Sequence, residues 1–424
     1  MIQGHAMRSD RYTQDISDNK KNPLRILLPL ILVLALAVAG SLLYLYKSTE
    51  KSITLEFKRD HPVIPFGEKH SSMFYVKSAS GEVSPASAAI DTGKVGEMEL
   101  VYTVTKPVLG GLLKPSKDFT LSYTVEDREP PMLIWSGAGT VIETGSEFDI
   151  NKVIAYGDNA DPEPSVSVKG SVDTSAAGDY SLRITVTDAS GNPTSWDLKV
   201  EVTDEVPETE PEESDKIKFK DFVSANKGDG RSFGIDVSSW QEDVDYEKVK
   251  KAGCEFVMIR AGYSEGDGKT FEFDDRFKEN MDKAKAAGLK VGVYMYSYDN
   301  TEDKARASAR WLIEALDKAE LDLPVAFDWE DFGQFQTYKM SFADLNKLYD
   351  AFADEITKAG YEPMLYGSKL YLEEVWEDTD KRPVWLAHYA DRTNYKGPYR
   401  IWQAANTGRI KGISGDVDLD IMYE

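Results

Sequence analysis

Two carboxylates one residue apart, Asp328-Trp329-Glu330, close the apolar run Pro324-Val325-Ala326-Phe327. Side chains of an extended strand alternate between its two faces, so both acids leave the same face, about 6.5–7 Å apart along the backbone. Such a pair suits cleavage of an acetal bond. One protonated acid serves the leaving oxygen, and a second group meets the positive charge that develops at the anomeric carbon. Glu330 is the candidate general acid/base, because its neighbours Asp328 and Asp236 raise its proton affinity by like-charge repulsion. Further acids stand in other apolar runs: Asp236 in Phe233-Gly234-Ile235-Asp236-Val237, and Asp418 in Val417-Asp418-Leu419-Asp420. A single strand-end Asp is explained as the N-cap of the next helix; the pair at 328 and 330 is not.

The elements that must carry these acids follow from periodicity. Strands are expected near 233–240, 256–263, 290–298, 324–330, 362–367, 384–390, 399–404 and 417–423. Helices fit 275–287, 301–318 and 342–359, with Gly288 and Gly360 where C-terminal caps belong. This alternation predicts a parallel barrel with its site at the strands' C-terminal ends. A regular eightfold β/α barrel takes about 250 residues. Residues 221–424 supply fewer, and the connections after residue 370 are too short for regular helices, so an irregular, abbreviated (β/α) TIM-like barrel is expected.

Several motifs in this region agree in order and spacing with one family. Gly234-Ile235-Asp236-Val237-Ser238, Phe256-Val257-Met258-Ile259-Arg260-Ala261, Gly292-Val293-Tyr294, Asp328-Trp329-Glu330, Trp385-Leu386-Ala387-His388-Tyr389, Trp402-Gln403 and Gly415-Asp416-Val417-Asp418-Leu419-Asp420 resemble the family 25 glycoside hydrolases, lysozyme-type muramidases. Ala404 departs from the pattern, standing where the family usually places an aromatic. The resemblance implies a peptidoglycan hydrolase, a lysozyme (N-acetylmuramidase), that cuts the β-1,4 bond between N-acetylmuramic acid and N-acetylglucosamine. It supports Glu330 as acid/base and carries Asp328, Asp236 and Asp418 as the other acids of the site. It also implies a retaining reaction in which the substrate's N-acetyl group, oriented by Asp328, serves as nucleophile; a direct enzyme nucleophile stays open. Arg260, Tyr296, Tyr366, Trp385, Tyr389 and Gln403 are candidates for sugar contact. Two other readings remain: a glycan-binding scaffold without activity, and a hydrolase of another N-acetylhexosamine polymer such as chitin.

The N-terminal half is built differently. Ile26 to Tyr46 is free of charge and long enough to span a bilayer as a helix. Arg8, Arg11, Lys20, Lys21 and Arg25 precede it, which places residues 1–25 in the cytoplasm and the rest outside the cell membrane, anchored by this single-pass helix. The competing reading is a cleaved signal peptide, with Ala37-Val38-Ala39 before Gly40 as the processing site, against which the apolar run continues through Leu45. Residues 90–105 then match residues 172–187 without a gap, offset by 82 positions. Val, Thr and Tyr alternate with period two in each copy. Two all-β immunoglobulin-like sandwiches are expected, at 51–127 and 128–204, serving as spacers, with a wall-binding role as the alternative. The acidic Pro/Glu segment 205–220 reads as an extended linker between this stalk and the catalytic region at 221–424.

Composition excludes other classes. Lys and Arg number 50 against 73 Asp and Glu, a net charge of −23, so nucleic acid is repelled rather than gathered. The lone Cys254 reads as a small buried core residue. His5, His61, His70 and His388 show no metal-ligand spacing. Asp188-Ala189-Ser190-Gly191-Asn192 reads as a hairpin turn rather than a calcium loop. Neither a metal nor a cofactor is expected.

Overall fold

The computed structural model describes residues 24–136, 140–206 and 216–424. Most of the expected cytoplasmic segment and residues 207–215 of the acidic linker lie outside the described residues. The first element is a helix, Leu24–Lys51. Its segment Leu27–Lys51 has a mean hydropathy of 2.5 in its most apolar window, none of which is buried, and it is long and apolar enough to cross a membrane.

The chain forms two compact units, the first of which includes this helix. The first contains a four-stranded sheet in the order Val63–Pro65, Ser116–Glu126, Gly96–Thr105, Glu82–Pro85, and a separate pair, Leu55–Phe57 with Val76–Ala79. Tyr102, Val104, Leu121 and Tyr123 are buried by the period-two alternation of the two long strands.

In the second unit an all-β module precedes the barrel. Strands Ser165–Lys169, Gly178–Thr187, Pro193–Thr203 and Val141–Glu143 form one sheet, and Met132–Ser136 pairs with Ile154–Gly157 in another. Leu182, Ile184, Val186, Leu198 and Val200 meet Ile154 and Tyr156 in a common core. Gly178–Thr187 lies 82 positions after Gly96–Thr105 with the same length, as the sequence repeat requires.

The barrel has eight strands, here β1 Arg231–Val237, β2 Phe256–Ser264, β3 Lys290–Tyr296, β4 Val325–Asp328, β5 Pro363–Ser368, β6 Val384–Ala387, β7 Ile401–Arg409 and β8 Val417–Tyr423. Neighbours from β1 to β7 pair in parallel, whereas β8 pairs antiparallel with both β7 and β1 and closes the sheet. The expected run of parallel strands therefore stops one short. Full helical crossovers follow only the earlier strands: Phe277–Ala286, Glu302–Leu316 and Phe342–Lys358. Ser341 opens the last of these with a reciprocal cap, its Oγ accepting from Asp344 N at 3.1 Å while Asp344 Oδ2 accepts from Ser341 N at 3.1 Å. Gly288 and Gly360 sit just past two of the helices at φ +75° and +90°, a region open to glycine at little cost. Lys369–Glu374 is one short helix, and no helix joins β6 to β7.

Two features differ from the expected spacer and linker. Ile217–Lys218 pairs in parallel with β7, and a helix starts at Phe219, so the catalytic region begins inside the segment assigned to the linker. The module at 132–203 is also packed onto the barrel. Ile134 and Ala155 share a core with Phe335 and Phe342. Gln336 Nε2 donates to Ile154 O at 3.2 Å, and Lys339 pairs with Glu163 at 2.8 Å. A Cβ on Gly157 would come within 2.6 Å of Phe342 Cε1, so only glycine permits this approach.

Candidate active site

Period-two alternation separates the barrel's two cores. Phe256, Met258, Ala326, Met364, Ile401 and Met422 face inward and fill the base with apolar volume. Further along the same inward faces the residue types turn polar: Asp236 on β1, Arg260 on β2, Tyr296 on β3, Asp328 on β4, Tyr366 on β5 and Gln403 on β7. Because β8 runs the other way, it delivers its acid from its N-terminal end. Asp418 is the register partner of Asp236 across the β1–β8 pair. Glu330 lies two residues beyond Asp328 and just past the end of β4. Trp329 between them is fully buried on the opposite face, with Nε1 donating to Asp299 O at 2.9 Å. The two acids thus share the mouth, as the alternation predicted.

A hydrogen-bond relay ties the strands together. Tyr366 and Tyr389 donate from their hydroxyls to Gln403 Oε1, at 3.0 and 3.1 Å. Gln403 Nε2 donates to Asp236 Oδ2 at 2.8 Å. Tyr389 is 52% exposed at the rim, whereas Tyr366 and Gln403 are buried. Arg260 is held by Asp274, its Nε donating to Oδ2 at 2.9 Å, and by Ser239 Oγ, which accepts from Nη2 at 3.2 Å. Its charge still lowers the proton affinity of Asp328.

Electrostatics favour retained protons. Burial raises Asp236 well above the usual carboxylate range, and the charge of Asp420 adds to this, opposed by the bond from Gln403. Burial raises Asp328 in the same way, followed by repulsion from Glu330 and Asp236. Glu330 is raised by burial, against which the Tyr366 hydroxyl acts. Its side chain is open to solvent at the mouth. Asp328 and Glu330 act on each other's charge, and both hold their protons more tightly than a free carboxylate. Asp328 Oδ1 is also a buried acceptor with no protein partner.

Asp418 is pushed up to about 9 by burial, with Asp236 and Glu330 adding to it. The sequence reading missed Asp420 as a member of the site. It is fully buried, accepts from Trp385 Nε1 at 2.9 Å and is pushed up to about 8, chiefly by burial. Asp418-Leu419-Asp420 has the same one-residue spacing as Asp328-Trp329-Glu330, the signal that would have found it. Trp385 needs correction as a sugar contact: it is 1% exposed and packs edge-on to Tyr294 and Tyr366 beneath the acids. Cys254 is buried, and burial raises its thiol to about 12, as a core residue should be.

A closed barrel with convergent, proton-retaining carboxyls and tyrosines at its mouth defines the class of acid-catalysed glycoside hydrolases. Residues 235–413 match the glycosyl hydrolases family 25, and residues 136–202 match the bacterial surface protein Ig-like domain. Over residues 235–413, then, the barrel carries a glycosyl hydrolases family 25 domain. The autolytic lysozyme of Clostridium acetobutylicum is 31% identical over 193 residues, covering 45% of this chain and 56% of that protein. Lysozyme M1 of Streptomyces globisporus is 28% identical over 202 residues, covering 44% and 65%. Among solved structures, the autolysin LytC of Streptococcus pneumoniae, in complex with a synthetic peptidoglycan ligand, aligns at 22% identity with a TM-score of 0.42. That alignment covers 57% of this chain and 56% of LytC. The chain thus spans about half to two thirds of the length of these relatives.

Proposed function

We propose that this chain is a membrane-anchored N-acetylmuramidase that cleaves the β-1,4 bond between N-acetylmuramic acid and N-acetylglucosamine in peptidoglycan. The observation that carries this is the Asp328–Glu330 pair at the barrel mouth, where burial raises both carboxyls above their ordinary range. Glu330, open to solvent, gives its proton to the leaving oxygen and then serves as base toward water. Asp328 is the orienting residue: its unpartnered Oδ1 suits the N–H of an acetamido group, so that the substrate's own carbonyl oxygen attacks the anomeric carbon. Asp236 and Asp418 complete the acidic wall, with Gln403, Tyr366, Tyr389, Tyr296 and Arg260 along the sugar path. The names of the two lysozymes support the substrate.

Family motif order and barrel closure favour an irregular TIM-like barrel. The repeat at an offset of 82 residues favours a second, diverged Ig-like module at 51–127. The apolar helix and the basic residues before it favour a single-pass anchor with the N-terminus inside and the barrel on the wall side. Protease added to wall-less cells should remove the barrel and leave a membrane-bound stub; full protection of the barrel contradicts this topology. Substrate class is tested with purified full-length protein in detergent, given peptidoglycan or chitin in parallel. Release of sugar from peptidoglycan alone is expected, and equal release from chitin contradicts the assignment.

A further inference from the structure

Three aspartates that the hydrolytic site does not use converge in the module at 132–203. Asp127 precedes the module, Asp158 follows the strand Ile154–Gly157, and Asp188 follows the strand Gly178–Thr187. Each offers one carboxylate oxygen, and these oxygens lie within 4.8 Å of one another. All three residues are buried, Asp158 at 1% exposure. Burial raises the proton affinity of Asp158 most, to about 6, and the charges of Asp127 and Asp188 add to it against the backbone N–H groups of Asp161 and Ala160.

Local hydrogen bonds leave the cluster incomplete. Asp158 Oδ1 accepts from Ala160 N at 2.9 Å and from Asp161 N at 2.7 Å, while Asp158 Oδ2 is buried without a partner. Asp188 Oδ1 accepts from Asn192 N at 2.8 Å, and Asp127 Oδ1 accepts from Asn159 Nδ2 at 3.1 Å. The amide oxygen of Asn159 is a second buried acceptor without a partner. Uncompensated oxygens of this kind cost free energy unless a cation or a proton meets them.

We propose that Asp127, Asp158 and Asp188 hold one divalent cation of the calcium class. Calcium accepts six to eight oxygen ligands at about 2.3–2.6 Å, so two oxygens on one ion stand at most about 5 Å apart, a limit the three carboxylates meet. Protein zinc sites are built chiefly on Cys and His, and the group here holds neither. Magnesium dehydrates reluctantly and keeps several waters, which disfavours it where three carboxylates crowd one point. The hairpin expected at 188–192 does form, with Gly191 at φ +91°, and it adds a ligand to the site. The ion's consequence lies next door. Asp158 O accepts from Phe342 N at 2.8 Å and Asn159 O accepts from Ala343 N at 3.1 Å, so the ion-bound loop is the one seated on the first turn of the helix after β4. Calcium would lock the module onto the catalytic barrel.

The test uses the full-length chain in detergent, stripped of metal and kept in about 150 mM salt to screen its acidic surface. Calcium and magnesium binding are measured by equilibrium dialysis, with thermal unfolding alongside. The expected result is one calcium per chain with a Kd of about 1 mM or tighter. Magnesium should bind at least about tenfold more weakly, and saturating calcium should raise the unfolding midpoint. Asp158→Asn and Asp188→Asn should each lose that equivalent and the midpoint shift. No saturable calcium binding to the unaltered chain overturns the proposal, whatever the variants do. One equivalent retained by both variants also overturns it, by placing the ion elsewhere. If the unaltered chain binds no ion and Asp158→Asn is more stable than it without calcium, the cluster shares a proton and the proposal falls.

Discussion

Asp236 and Asp418 face each other as register partners on strands that run in opposite directions, the first and the last of the barrel. This pairing closes the sheet and also concentrates acid at its mouth: Asp236 raises the proton affinity of Asp418 second only to burial. Reversing β8 lets a short connection from β7 return the chain to the same level, which dispenses with a final crossover helix.

The same crowding gives a pH signature. Asp418 and Asp420 are pushed up to about 9 and about 8, far above the range of an unfolded carboxylate. The folded chain therefore keeps protons that the unfolded chain releases. Stability from this source is fully present below about pH 4 and is lost as pH rises through about 8–9, at about 1.4 kcal/mol per pH unit per proton. These acids titrate as a group rather than singly. Asp420→Asn can still accept from Trp385 and removes one member. Its unfolding midpoint, compared with that of the unaltered chain, should gain steadily between pH 5 and pH 9; a constant difference across that range contradicts the shared burden.

Glu330→Gln keeps size and polarity but has no proton to transfer. Turnover should fall by about 10²–10⁴-fold, with circular dichroism unchanged. Asp328→Asn should be comparably severe. If Asp328 orients the acetamido group, no covalent sugar should accumulate on it, and substrates without the N-acetyl group should be cut poorly. A glycosyl adduct mapped to Asp328 replaces the substrate-assisted route with direct attack.

Gln403 connects Tyr366 and Tyr389 to Asp236 through one side-chain amide. Gln403→Met keeps the length and volume but removes the relay. We expect kcat/KM to drop by about 10²-fold through misplaced groups, with folding retained, and the pH profile to move upward as Asp236 loses its donor. An unshifted profile with near-normal kcat/KM assigns Gln403 to packing alone.

Much of this was legible in the chain. The apolar runs with Gly288 and Gly360 at their boundaries located the barrel elements, and period two put Asp328 and Glu330 on one face. The direction of β8 was not legible, because Val417–Tyr423 alternates identically whether it runs with or against its neighbours. Trp385 carried no mark of burial, since an aromatic in a strand fits a floor as well as a binding wall. Packing of Phe335 and Phe342 against Ile134 and Ala155 was hidden for a related reason: apolar residues announce that they will be covered, not by what. Asp127, Asp158 and Asp188 are about thirty residues apart in sequence, beyond any local motif.

That packing is open to test at Gly157. A methyl there would lie 2.6 Å from Phe342 Cε1 and 2.7 Å from Phe335 Cδ1. Gly157→Ala should destabilise the module–barrel contact by about 1–3 kcal/mol, the usual cost of overpacking. Limited proteolysis should separate barrel from module faster in the variant. Identical cleavage kinetics would restore the tethered-spacer picture.

The central claim, that the barrel cuts on the reducing side of N-acetylmuramic acid, is tested most directly by mass spectrometry of fragments released from purified peptidoglycan by the full-length protein after borohydride reduction. The account predicts fragments ending in reduced muramic acid, absent with Glu330→Gln. Fragments ending in reduced N-acetylglucosamine, or no release by the active-site-intact chain, would contradict it.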